Sequence, residues 1–251
     1  MFDTLKSRIY QGQQFIKDIK NAQMREQFRG LPILSGGSCD NCGRCLSVCP
    51  TGALNINPLS IDMGKCTFCG ACKNVCQSNS IDFSNFYKLA STSREKLIIT
   101  ENMSEEDFSK IAIEVRKEIN KMFSKSLKLR QVSAGGCNGC EMELNACSNV
   151  NFDMGRFGID FVASPRHADG IVITGPISEN MVYALEDCYK STPDPKVVIL
   201  CGSCAISGGV FQESDKLNRD FLEKYPIDLY IPGCPVHPLT FINAILGFIG
   251  R

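Results

Sequence analysis

The apolar positions keep four different rhythms along the chain. From 1 to 30 they are sparse: Phe2, Leu5, Ile9, Ile16 and Ile19 fall at loose helical spacing among polar residues, which predicts an N-terminal helical arm. Residues 31–85 hold short β-like pieces at 53–56, 60–62 and 80–83, as expected of a small α+β unit. Residues 86–128 read as a helical linker. Ser104 and Asp107 have the spacing of a capping box. After them Phe108, Ile111, Val115, Ile119 and Met122 share one helical face opposite charged residues, so a single amphipathic helix is expected over 105–124. From 129 to 251, compact apolar runs at 129–133, 159–163, 170–174, 196–200 and 227–231 alternate with helical stretches at 141–147, 178–189 and 237–248. Such alternation predicts an α/β unit, a parallel sheet covered by helices.

Charge changes little in this picture. The 27 basic and 27 acidic residues cancel, so no nucleic-acid footprint is visible. The most apolar stretch, 239–249, is broken by Thr240, Asn243 and Gly247. No run reaches the ~20 apolar residues of a membrane span, and any membrane association is expected through partner subunits.

The cysteines change it most. Cys39, Cys42, Cys45 and Cys49 are spaced Cys-x2-Cys-x2-Cys-x3-Cys, and Cys66, Cys69, Cys72 and Cys76 repeat that spacing 27 residues later. Pro50 follows the first copy, as in the ferredoxin run. A three-cysteine loop wraps one cubane cluster, and the fourth cysteine, too far along to fold back, ligates the other. One 4Fe–4S cluster is therefore assigned to Cys39, Cys42, Cys45 and Cys76, and a second to Cys66, Cys69, Cys72 and Cys49. Zinc sites use isolated Cys-x2-Cys pairs and explain neither the third cysteine of each loop nor the repeat. A disulfide framework is disfavoured further by the chain's length and by the expectation of a reducing compartment, since no secretory signal is visible.

Five further cysteines follow expected strands. Cys137 and Cys140 lie in Gly-Gly-Cys-Asn-Gly-Cys, Cys201 and Cys204 in Cys-Gly-Ser-Cys, and Cys234 in Pro-Gly-Cys-Pro. Loops at the carboxyl edge of a parallel sheet converge where ligands bind, which points to a third four-thiolate site.

Two resemblances emerge from these motifs. Residues 31–85 resemble the bacterial two-cluster ferredoxin domain, with Gln77 where a proline often follows the last cysteine. GGCNGCEMEL, SPRHAD, CGSCAISGGVF and IPGCP, in that order, resemble the small subunit of NiFe hydrogenases and its relative, the 20 kDa subunit of complex I. That resemblance covers 129–251. It implies a flavodoxin-like fold and one 4Fe–4S cluster held by Cys137, Cys140, Cys204 and Cys234, with Cys201 as an alternative ligand in the same loop. Three 4Fe–4S clusters are thus expected in all. Cys147 and Cys188 read as small buried hydrophobes. Arg166 and His167 are candidates for a contact with the third cluster or with a partner. Glu141 and Glu143 are candidates for proton transfer or for pairing, and His237 is expected to be structural.

The expected function is that of an electron-transfer subunit in a multi-subunit oxidoreductase, not catalytic alone. The Cys-x2-Cys at 137 and 140 resembles energy-converting NiFe hydrogenases and formate hydrogenlyases; complex I subunits place two adjacent cysteines there. The alternative is a complex I-like NADH or ferredoxin:quinone oxidoreductase. The expected partners are a NiFe-type or complex I-like large subunit, other redox subunits and membrane subunits. The expected location is cytoplasmic, peripheral on the inner face of the cell membrane. No phosphate loop, dinucleotide fingerprint or nucleophile–base pair is visible.

Overall fold

Helix α1 (Phe2–Gln11) leaves every side chain exposed. The computed structural model describes residues 2–114, 117–123 and 125–251. Beyond α1 the arm anchors on Ile19, which is buried and whose carbonyl accepts Asn243 Nδ2 at 2.9 Å, with Ile16, Ala22, Met24 and Phe28 packed against the same core.

The cysteine repeat then builds a small α+β unit. Its elements are β1 (Pro32–Leu34), α2 (Arg44–Ser47), β2 (Leu54–Ile56), β3 (Leu59–Asp62), α3 (Ala71–Val75), β4 (Ile81–Phe83) and β5 (Ile98–Thr100). β1 pairs antiparallel with β4, and β2, β3 and β5 form a three-stranded antiparallel sheet.

The segment expected as a helical linker gives β5 to that sheet, and its expected single helix is two. α4 (Glu105–Ala112) begins at the expected capping box: Ser104 Oγ accepts Asp107 N at 3.1 Å, and the Asp107 carboxylate accepts Ser104 N. It stops because the Ala112 carbonyl is taken by other donors, Ser91 Oγ at 2.7 Å and Thr92 N at 3.0 Å. Ile113 turns extended, and α5 (Lys117–Phe123) restarts beyond it. Of the expected apolar face, Phe108 and Ile119 are buried, Ile111 and Met122 are exposed, and Val115 lies outside the described residues.

The remaining strands are β6 (Leu127–Ser133), β7 (Ile159–Phe161), β8 (Gly170–Thr174), β9 (Val197–Cys201) and β10 (Leu229–Ile231). They form one parallel sheet in the order β10-β9-β8-β6-β7. Numbered from its first strand this is the flavodoxin-like order, whose crevice lies between β6 and β8. Helices α6 (Gly139–Ala146), α7 (Val182–Ser191), α8 (Ser203–Ser207), α9 (Asp220–Lys224) and α10 (Pro238–Phe248) complete the unit.

Strand alternation sends neighbouring residues to opposite faces. Ile171, Ile173, Val198 and Leu200 join a cluster that also contains Leu59, Ile61, Met63 and Phe68 of the cysteine-repeat unit. Val172, Val197 and Ile199 pack on the other face with Phe241, Ile242 and Ile245 of α10. The two units therefore share a hydrophobic core, which fixes one set of cysteine loops against the other.

Candidate metal centres

The two copies of the repeat fold alike. Asn41 and Phe68, at equivalent positions, have φ of 54° and 53°, and Gly43 and Gly70 have φ of 73° and 78°. These left-handed residues curl each segment into a loop whose third cysteine enters a short helix, Cys45 in α2 and Cys72 in α3. Backbone amides aim at the sulfurs. Ala53 N donates to Cys49 Sγ, Ser80 N to Cys76 Sγ and Phe68 N to Cys66 Sγ, each at 3.3 Å.

Each fourth cysteine lies beside the other copy's loop. Cys45 has Cys39 and Cys76 as electrostatic neighbours, whereas Cys66 has Cys72, Cys49 and Cys69. Cys49, Cys66, Cys69 and Cys72 also line one small cavity. Burial pushes the Cys66 thiol up to about 12 and the Cys72 thiol up to about 11. At Cys76 burial also works upward, but hydrogen bonds from Ser78 and Ser80 outweigh it and the thiol is lowered. A metal ionises such thiols on binding, so loading this unit releases protons.

On the larger sheet, Cys137 and Cys140 leave β6 and begin α6, Cys204 lies in α8 after β9, and Cys234 follows β10. Cys204 has Cys234, Cys140 and Cys137 as neighbours, and burial pushes it up to about 11. Gly202, with φ of 95°, is needed here. A side chain at this position would put its Cβ 2.6 Å from Cys140 Sγ. Cys201 is fully buried beside Cys140: the interaction of the two sulfurs lowers the Cys140 thiol, while burial pushes the Cys201 thiol well up. Cys147 and Cys188 are buried.

The donor chemistry fits iron–sulfur clusters: thiols gather at each site and several sulfurs accept amide hydrogen bonds. Among the described residues no three His, Cys, Asp or Glu side chains close on one point as the ligands of a single ion do.

The acidic candidates separate. Glu141 is buried, and its Oε1 accepts Ser133 Oγ at 2.7 Å and Thr174 Oγ1 at 2.6 Å. It ties the ends of β6 and β8 together. Glu143 is half-buried, and burial raises its carboxyl. It lines a cleft of about 440 Å³ with Cys69, Cys234, Arg29 and His237. His237 caps α10, its Nδ1 accepting Leu239 N at 3.1 Å, and packs edge-on against Phe28 and Phe152. Arg166 and His167 are not brought to the cysteines. They are exposed in a turn at the amino end of β8, whereas the cysteine loops leave the carboxyl ends.

Two residues, one joining two ligand sets and one holding the Cys204 helix, carried no signal in the sequence. Ser203 Oγ donates to the Cys66 carbonyl at 2.6 Å, and Ser203 N donates to Gly233 O at 2.9 Å. Arg219 donates to the carbonyls of Pro176, Cys204, Ala205 and Ile206. Ser203 opens the five-residue α8 and Arg219 precedes α9, both too short a context for periodicity to mark a side chain as inward.

Comparison with known proteins adds two matches to family models: residues 38–80 to the 4Fe-4S dicluster domain, and residues 137–248 to the NADH ubiquinone oxidoreductase, 20 Kd subunit. A probable membrane-bound hydrogenase subunit mbhJ of Pyrococcus furiosus is 36% identical over 129 residues, 51% of this chain and 77% of that protein. Formate hydrogenlyase subunit 7 of Escherichia coli is 39% identical over 136 residues, 54% of this chain and 53% of that one. An NADH-quinone oxidoreductase subunit of Citrifermentans bemidjiense is 40% identical over 107 residues, 43% of this chain and 62% of that one.

Proposed function

The chain belongs to the family of the 20 kDa subunit of NADH ubiquinone oxidoreductase, and from that premise we propose that it is the electron-transfer subunit of an energy-converting NiFe hydrogenase or formate hydrogenlyase. It holds three 4Fe–4S clusters. The first is bound by Cys39, Cys42, Cys45 and Cys76, the second by Cys66, Cys69, Cys72 and Cys49, and the third by Cys137, Cys140, Cys204 and Cys234. The clusters supply one-electron transfer; the chain supplies ligands, spacing and exclusion of water.

The observation that carries this reading is the shared cleft. Cys69 and Cys234 both line it, and each sulfur lies within electrostatic reach of the other. That supports a wire in the order first, second, third cluster, with the third facing a large subunit. Among the described residues no helix is long and apolar enough to cross a membrane. The relatives include a protein named as a membrane-bound hydrogenase subunit, which supports peripheral attachment on the inner face of the membrane through partner subunits.

A complex I-like assembly is the second reading, favoured by the identity to the NADH-quinone oxidoreductase subunit. The Cys-x2-Cys at 137 and 140 weighs toward the hydrogenase. Nickel in the purified complex, stoichiometric with this chain, supports the first reading; a nickel-free complex that reduces quinone overturns it in favour of the second.

A further inference from the structure

Two guanidinium groups meet at Ile206, and only one is neutralised. Arg94 lies against Ile206, since a Cβ at Gly64 would stand 2.8 Å from both. Its NH1 and NH2 bond Asp62 Oδ1 and Oδ2 at 2.8 and 2.6 Å, a bidentate pair that cancels its charge. Arg219 reaches the backbone of the same residue. NH1 donates to Pro176 O at 2.9 Å and Cys204 O at 3.2 Å, and NH2 to Ala205 O at 2.8 Å and Ile206 O at 3.0 Å. All four acceptors are neutral carbonyls, and three belong to α8, which carries Cys204.

Arg219 is half-buried, and a cation partly withdrawn from water is favoured by a nearby negative charge. Among the described residues no carboxylate ion pair reaches Arg219. Burial disfavours the charged guanidinium, and the Cys204 sulfur, once ionised, attracts it. A cluster on four thiolates gains one further negative charge when it accepts an electron from its neighbour. No bond forms or breaks in that step, so the surrounding charge directly weights the two oxidation states.

We propose that Arg219 is a positioning residue that sets the potential of the third cluster, its unpaired positive charge favouring the reduced form. The inference rests on the assignment of a cluster to Cys137, Cys140, Cys204 and Cys234. It makes the third cluster the electron sink of the chain, with the guanidinium held to the backbone of its ligand helix so that the charge does not move away on oxidation. Lysine would preserve the charge while losing the four-carbonyl fork. Glutamine or methionine would remove the charge.

The test is a redox titration of the full chain, purified without oxygen, following the third cluster by electron paramagnetic resonance. Arg219→Gln and Arg219→Met should lower its midpoint potential, by at least the 59 mV that corresponds to a tenfold change in the reduced-to-oxidised ratio of a one-electron couple. Arg219→Lys should hold the potential near the wild-type value. Equal potentials in all four proteins overturn the proposal, as does a drop in Arg219→Lys as large as that in Arg219→Gln, which would leave only the carbonyl capping. If both charge-removing variants lose the third cluster, its retention in Arg219→Lys supports the charge requirement and its loss there too overturns it. Iron in the wild-type chain separates the two failures: iron for only two clusters defeats the third-cluster assignment, whereas iron for three with no shift defeats only the role of Arg219.

Discussion

Ser203 Oγ and the Cys66 carbonyl are joined by a 2.6 Å hydrogen bond, fully buried, between a residue beside one ligand set and a residue within another. The same serine holds Gly233, next to Cys234, through its amide. One residue thus ties the Cys66 loop to the loops of Cys204 and Cys234. Ser203→Ala leaves a buried carbonyl without its donor, a loss of about 1–3 kcal/mol. The unfolding temperature should fall, and the magnetic interaction between those two clusters should weaken while each still assembles. An unchanged melting curve and an unchanged interaction would mean that the shared apolar core alone fixes the spacing.

The exchange of fourth cysteines between the repeat loops predicts an asymmetric phenotype. Cys76→Ala should damage the cluster of Cys39, Cys42 and Cys45 and spare that of Cys66, Cys69 and Cys72, because Cys76 neighbours Cys45. Resonance spectra that instead show the Cys66 cluster lost would reverse the assignment.

His237 predicts a dependence on pH. Burial lowers its pKa below the ordinary value of 6.5, so the fold holds the neutral ring, whose Nδ1 accepts Leu239 N. The unfolded chain binds the proton more readily. Stability from this residue is therefore present above pH 6.5 and is lost as pH falls through 6.5 toward the lowered folded value. His237→Asn retains a capping acceptor without the titration. Between about pH 7.5 and 5.5 the fall in melting temperature should be smaller in this variant than in the wild type; parallel falls would remove His237 as the cause.

What the sequence made legible was whatever a short-range pattern encodes. The 27-residue repeat fixed the two ferredoxin-like loops down to equivalent left-handed residues at Asn41 and Phe68. The apolar run at 170–174 is β8 residue for residue. Alternation along the sheet, glycines and cysteines together marked the carboxyl edge. What remained hidden depends on distant partners. The helix expected over 105–124 breaks because Ser91 and Thr92 capture the Ala112 carbonyl, and no residue inside the helix announces that. Arg166 and His167 looked adjacent to the site because they lie between strands, but the loop carries them back to the opposite end of the sheet. Ser203 and Arg219 act through backbone carbonyls, which leave no trace in side-chain spacing.

The central claim is that the chain holds three clusters in one continuous wire. It is tested most directly by iron and acid-labile sulfide in the chain purified without oxygen. Three 4Fe–4S clusters give about twelve irons and about twelve sulfides per chain. The Cys204→Ser chain should fall to about eight of each while the ferredoxin-like pair remains reducible. About eight irons in the wild type, or zinc in their place, would contradict the account.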